Sequence, residues 1–392
     1  MYKLIKKLSA HWMDVHKESP FVIVHEGDGI YTTYLCSWDG IFLKEIQFEY
    51  REYAIIPELH KGLWFVHYAK KSPLAGTMNI FTLDGELKQS ISDVATYFDM
   101  LPIDDFPWVY LVDRHLIRYN LSSHEYHDLG SLPLEEPSFY EGSHRGLHFF
   151  TCEGKSQLVA MRDKDGQGLE EVYRLDFAES DRCKPSYSRN VEPGQVYFIN
   201  FYDSDLWVST YERVYRIDIA TGQKLGTLED KFLPKMSHHG GIGYAIYSGF
   251  YTVMDFENRR LLSCRLLDKF THEGKEYSAE YTGLLLHEGI FYVSVRVSGI
   301  FFLAAFDIQT EKFVWHDLWG GWDIDSVHIV GDQMIAHSHD EVRIYQRVGR
   351  LTRLAQKLRG ALRHLISPLT SDRYSNHYWS AYEPVVVTTT TQ

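Results

Sequence analysis

The sequence predicts an all-β fold assembled from repeated four-stranded units. Three observations carry that expectation. Aromatic residues make up 15% of the chain, with 27 Tyr, 22 Phe and 9 Trp, and such residues favour pleated, half-buried surfaces. A strand–turn–strand phrase, "VYRIDIATGQKLGTL" (Val214 to Leu228), recurs in weaker copies along the chain. A second, tighter hairpin precedes most of those copies.

In the best copy, Val214, Tyr215, Ile217 and Ile219 are strand formers, and Asp218 opens a turn that Gly222 closes. Asp bonds its own downstream backbone, and Gly accepts positive φ. Related phrases place Asp39-Gly40, Asp84-Gly85, Asn120, Asp176, Asp255 and Asp307 in the position of Asp218. "EVRIYQRV" (Glu341 to Val348) is a last copy that has lost its turn residue. The preceding hairpins are "LHKGLWFV", "SHRGLHFF", "YDSDLWVS", "HHGGIGYA", "LHEGIFYV" and "IVGDQMIA". Each sets a two-residue turn bearing Gly or Asp before an apolar strand.

Two linked hairpins make one unit with a period of about 36–56 residues, the range of the four-stranded units of β-propellers. A single four-stranded sheet exposes two faces and two edges; stacking such sheets around an axis buries the faces. The reading is a β-propeller of eight blades over residues 1–348, with seven as the alternative because the stretch from Cys152 to Arg189 is long and irregular. The last unit lacks an outer strand, and "MYKLIKKL" can supply it to close the ring.

After Val348 the texture changes. Leu351, Leu354, Leu358, Leu362 and Leu365 fall at three- and four-residue steps, which is one helical stripe, and Pro368 stops it. Arg350, Arg353, Lys357, Arg359 and Arg363 flank the stripe. A basic amphipathic α-helix is therefore expected over 349–367, followed by an aromatic and then Thr-rich tail over 368–392. The whole chain carries a net charge of −13, so this helix is cationic on an acidic body. It suits docking on the chain's own surface, on a partner protein or on an anionic membrane. The acidic balance argues against a nucleic-acid partner.

The phrase "VYRIDIATGQKLG" resembles the repeat of quinoprotein-like (PQQ-like) propellers, which carry a strand, an Asp-x-x-Thr-Gly turn and a return strand. Phe306-Asp307-Ile308-Gln309-Thr310 is similar to the same turn. WD40-like propellers are similar at this level, but their Trp-Asp endings are absent; Trp38-Asp39 falls in a turn. The resemblance implies architecture and not an activity.

Motifs for chemistry are few. Walker, G-x-S-x-G, H-E-x-x-H and dinucleotide patterns are absent. "DKDGQGLEE" (Asp163 to Glu171) departs from the EF-hand register and reads as a solvated turn. His60, His144, His239 and His287 sit at equivalent first-hairpin turns, so a ring of imidazoles holding a metal is the alternative to a structural role. "DLWGGWDID" gathers Trp319, Trp322, Asp323 and Asp325 between units, a combination suited to lining a ligand or cation site. Cys36, Cys152, Cys183 and Cys264 form no C-x-x-C and read as reduced thiols. With no export signal apparent, a cytoplasmic protein is expected. The leading expectation is a non-enzymatic scaffold that binds another protein, with no cofactor. The alternative is a hydrolase or lyase using His and Asp in a central channel, possible with a metal; a quinone-dependent dehydrogenase ranks third.

Overall fold

The computed structural model describes residues 2–348, except 10–11, 16–20, 28–29, 37–41, 50–57, 70–75, 84, 95–98, 103–107, 113–114, 133, 135–137, 153–155, 178–193, 211–212, 230, 268 and 340. Side chains are described from residue 60 onward in most strands and in the N-terminal strand. The Asp39-Gly40 turn, Asp84, Cys183, the 349–367 helix and the 368–392 tail lie outside the described residues.

Every regular element among the described residues is a β-strand. The chain divides into two units, Met1–Phe48 with Ile290–Gln392, and Glu49–Gly289. Within the second unit, strands pair in chain order into five four-stranded antiparallel sheets: sheet 2 (58–94), sheet 3 (99–131), sheet 4 (138–176), sheet 5 (198–229) and sheet 6 (237–266). A two-stranded hairpin, Lys269–His272 with Lys275–Ser278, follows sheet 6. Within the first unit, sheet 1 spans 12–49, and Ile290–Val297, Ile300–Asp307 and Lys312–Gly320 pair in order as sheet 7. Sheet 8 (324–347) takes its fourth strand from the other end of the sequence. Tyr2–Ser9 runs antiparallel to Glu341–Arg347, from Tyr2 opposite Arg347 to Ser9 opposite Glu341.

The short hairpins are built on positive φ, as their residues require. Lys61-Gly62 (φ 43 and 78), Arg145-Gly146 (53 and 73), Gly240-Gly241 (54 and 71) and Glu288-Gly289 (48 and 75) all place two residues in the left-handed region. This backbone twist matches the twist of the flanking strands. The longer hairpins are held by side chains. Asp218 accepts bonds from the Thr221 backbone N–H (2.9 Å) and Thr221 hydroxyl (2.7 Å). Asn120, Asp255 and Asp307 likewise cap their own turns.

The copy containing Asp176 is corrected. Asp176 is the last residue of the strand Leu169–Asp176, and the turn of that sheet is at 164–168. That turn is solvated at Lys164, Asp165 and Gln167, but its two glycines face inward. Gly166 and Gly168 are buried, the Arg118 guanidinium donates to the Gly166 carbonyl, and the Tyr110 hydroxyl donates to Asp163. The loop is pinned to sheet 3 because its glycines let the backbone lie against Trp108; a Cβ on Gly166 would come within 3.2 Å of that indole.

Packing follows the two-residue period of a strand. In sheet 3, Val109 and Leu111 join a core with Phe65, Met78 and Ile80 of sheet 2. Tyr110 between them joins Phe150, Val159 and Met161 of sheet 4. Phe149, Leu158 and Ala160, one residue out of phase, meet Ile199, Leu206 and Val208 of sheet 5. Trp207, again between, packs with Ala245, Met254 and Phe256 of sheet 6. Each middle strand is thus apolar on both faces, and each sheet of this series is a layer in a stack. The fourth strands differ: Arg260–Leu266 alternates exposed with half-buried positions, and in Lys224–Glu229 every residue but the half-buried Leu228 is exposed. Charges there blunt an open sheet edge.

One junction gives a test. Gly222 has φ +72, and a Cβ there would sit 2.8 Å from the ring of Tyr173 in sheet 4. The Tyr173 hydroxyl donates to the Ile219 carbonyl (2.8 Å), and burial, with the Asp218 charge, pushes that phenol up to about 12. Gly222→Ala should cost about 1–3 kcal/mol through backbone strain and ring displacement. Gly226→Ala, with open space at its Cβ, should stay within about 0.5 kcal/mol. Urea unfolding of both variants checks the pair.

Candidate binding surface

The "DLWGGWDID" residues separate into a core group and a surface group. Trp319 is buried, and the Arg343 guanidinium lies 4.3 Å from its ring centroid. Arg343, on Glu341–Arg347, is itself buried. It donates to the carbonyls of Leu318 (2.6 Å) and Trp319 and to the carboxylates of Asp317 (3.2 Å) and Glu341. The Tyr345 hydroxyl donates to the same Asp317 oxygen at 2.9 Å. Burial works against the guanidinium's charge, but Glu341 and Asp317 outweigh it and raise its affinity for the proton. This network fastens sheet 8 to the outer strand of sheet 7.

Trp322, 56% exposed, turns the other way. Its ring lies 5.5 Å from that of His339 in the turn between the last two strands of sheet 8. Asp323 accepts from the hydroxyl of buried Ser294 (2.6 Å) and from the Ile324 N–H (2.8 Å). Asp325 is half exposed, 3.8 Å from Nδ1 of buried His337. Burial, and then repulsion from Asp323, hold the Asp325 carboxyl above its ordinary value.

The four histidines each occupy the end of a first strand or the start of its turn. His60 pairs with Leu63, His144 with Leu147 and His239 with Ile242. The His144 ring stacks on Phe201 (5.2 Å), with Nε2 at 2.8 Å from the Asp203 carbonyl. His239 is exposed, and His287 Nε2 lies 4.0 Å from Glu288. Neighbouring His238 stacks on Tyr202 (5.7 Å) and is lowered by burial and by Lys235. Among the described residues, no three His, Cys, Asp or Glu side chains gather as a metal would need. Arg350, Arg353, Lys357, Arg359 and Arg363 lie outside the described residues.

A larger surface escaped sequence reasoning. Phe198, at the start of sheet 5, packs edge-on to Phe232 (5.6 Å) and Tyr247 (5.1 Å). Tyr197 and Tyr247 lie 6.0 and 6.1 Å from Phe232. Tyr247 pairs across the Ser248-Gly249 turn with Phe250, which pairs in turn with Leu266. Tyr247 is 40%, Phe250 47% and Leu266 55% exposed. The signal was present in "YSGFY": aromatics on both sides of a two-residue turn form a cross-strand pair. Which face that pair presents depends on the neighbouring sheet.

Comparison with solved structures decides the architecture. Yeast (Saccharomyces cerevisiae) Sqt1 matches with a TM-score of 0.60 at 11% identity, over 89% of this chain and 98% of that one. The C-terminal WD40 domain of Sif2 matches at 0.57 and 9%, over 89% and 99%. The chain is a β-propeller. BamB from Moraxella catarrhalis also matches this propeller, at 0.52 and 9%, over 88% and 98%. No family model and no curated protein matches the sequence. Likeness at such identities speaks for the fold alone. What the propeller does must come from its surface.

Proposed function

We propose that this β-propeller, of eight four-stranded blades, is a non-enzymatic scaffold that binds another protein. The observation that carries the reading is the aromatic surface of Tyr197, Phe198, Phe232, Tyr247 and Phe250. Contiguous exposed apolar surface marks an interaction site. Tyr and Phe are enriched at the cores of protein interfaces, where a rigid ring buries much area with few rotatable bonds. The surface lies on a two-residue turn and on the link between sheets 5 and 6, which can vary without disturbing the stacked layers. A cytoplasmic location belongs to the same proposal. The exposed free thiol of Cys264 suits a reducing compartment, and cell fractionation tests it.

The functional test replaces the cross-strand pair. Tyr247→Asp with Phe250→Asp should leave the melting temperature within a few degrees of the parent, because both rings are exposed. The same variant should lose at least tenfold in affinity for a protein partner identified by affinity purification. Unchanged affinity of that partner for the double variant would overturn the reading.

A further inference from the structure

We infer that Lys235, where sheets 4, 5 and 6 meet, is a reactive amine that condenses with an uncharged aldehyde bearing an apolar group. The inference does not rest on the aromatic surface of sheets 5 and 6.

Two local devices build the site. The first is a β-bulge in the strand Ser138–His144. Tyr140 stands opposite Phe150 and Gly142 opposite Phe149, so Glu141 is the extra residue between them. A bulge re-aims a side chain out of the regular pleat. The Glu141 carboxylate accepts from the Thr151 hydroxyl through Oε1 (2.6 Å). Gly142 has φ 135, and a Cβ there would lie 3.5 Å from the ring of Phe201 in sheet 5. The second device clamps the link into sheet 6. Buried Asn200 donates to the Pro234 carbonyl (2.9 Å) and accepts from the Met236 N–H (2.6 Å). Pro234 and Met236 are buried, and Lys235 between them is exposed. Its Nζ stands 5.8 Å from the centroid of the same Phe201 ring.

The ammonium form of Lys235 has little to hold its proton. Among the described residues Nζ makes no hydrogen bond and no ion pair; its neighbours are the Phe201 ring, the Glu141 charge and His238. Burial lowers the Lys235 amine, and Glu141 offsets only part of that. More of this side chain therefore carries a free lone pair than in an ordinary lysine. Lys224 is the internal contrast. Burial lowers it too, but its Nζ donates to the Asp176 carbonyl (3.0 Å) and lies 4.6 and 5.1 Å from the Phe177 and Tyr215 rings.

The chemistry balances without an oxidant or reductant. The Nζ lone pair adds to the carbonyl carbon, and one N–H proton passes to the oxygen. Loss of the second N–H proton with the hydroxyl, as water, leaves a C=N bond. Glu141 and His238 are the groups placed to carry these protons; His238 is kept neutral by burial and by Lys235. The same Glu141 charge disfavours anionic carbonyl compounds, and the Phe201 face favours an apolar substituent.

Benzaldehyde with cyanoborohydride, which reduces the imine to a stable amine, tests the inference when labelled lysines are counted by peptide mass spectrometry. Lys235 should label at least about tenfold faster than Lys224 and than exposed Lys231. That advantage should vanish in denaturing urea. Glyoxylate, an anionic aldehyde, should label Lys235 more slowly than benzaldehyde does, and Glu141→Gln should narrow the difference. Thermal unfolding reports whether that variant is folded, and the parent protein's lysine contrast stands without it. Labelling of Lys235 no faster than of Lys231 would overturn the inference. So would an advantage that survives urea, or a benzaldehyde preference that folded Glu141→Gln leaves unchanged.

Discussion

Arg343→Ala should remove about 3–5 kcal/mol of stability, the range for breaking a buried ion pair from one side. The guanidinium is 3% exposed and serves four acceptors at once. Without it, the Leu318 and Trp319 carbonyls lose a donor in a dry site. Asp317 keeps only the Tyr345 hydroxyl among these bonds, and Glu341 keeps the more distant Lys7 ammonium at 3.4 Å. The loss comes from stranded acceptors and carboxylates more than from the missing attraction, so Arg343→Met, which keeps most of the volume, should be nearly as damaging. Arg343→Lys retains the charge but cannot fork to two carbonyls and two carboxylates, and it should fall between. Against a total of about 5–15 kcal/mol for a typical domain, the alanine variant should show a sharply lower urea midpoint. A loss under about 1 kcal/mol would mean that the network behaves as an exposed ion pair.

Gly243→Val should cost about 3 kcal/mol, the upper end for overpacking a core. A Cβ on Gly243 would lie 2.3 Å from Cε2 of Phe256 and 3.3 Å from Cβ of Met236. Phe256 has nowhere to go. It is 1% exposed, stacked at 5.3 Å on Tyr202 and edge-on at 5.6 Å to Trp207. His238 closes the remaining side at 4.9 Å. Shrinking the ring should therefore relieve the clash. Phe256→Leu is destabilising alone, but with Gly243→Val the two costs should sum to less than their separate values, a coupling expected of residues in contact. Additive losses in thermal unfolding would show that the strain is released through the backbone instead.

Much of the fold was legible in residue order. Turn residues such as Asp218, Asn120, Asp255 and Asp307 act within a few positions of themselves, so their caps can be read without knowing the neighbours. The same holds for the Lys61-Gly62 and Glu288-Gly289 turns, whose positive φ is a local demand. The missing outer strand of the last unit also left a trace, in the apolar and basic N-terminal phrase that pairs with Glu341–Arg347. Asp176 misled because an Asp after a strand looks the same whether it opens a turn or ends a sheet. The difference lies in the pairing partner, here Gln157, which stands opposite it.

The surfaces were harder, for a physical reason. Trp319 and Trp322 are three residues apart with equivalent composition around them, yet one is buried beneath Arg343 and the other faces water. Tyr247 and Phe250 on one side of their strands, and Ala245 and Met254 further along, differ in exposure because the sheets stack only over part of the strand length. Local order in the chain set the turns, the strand period and the four-stranded unit, since those depend on contacts between near neighbours. Which aromatic rings emerge, where Arg343 finds its acceptors and what holds Phe256 against Gly243, namely Tyr202 and Trp207, depend on residues tens of positions away, brought together only when one sheet packs on the next.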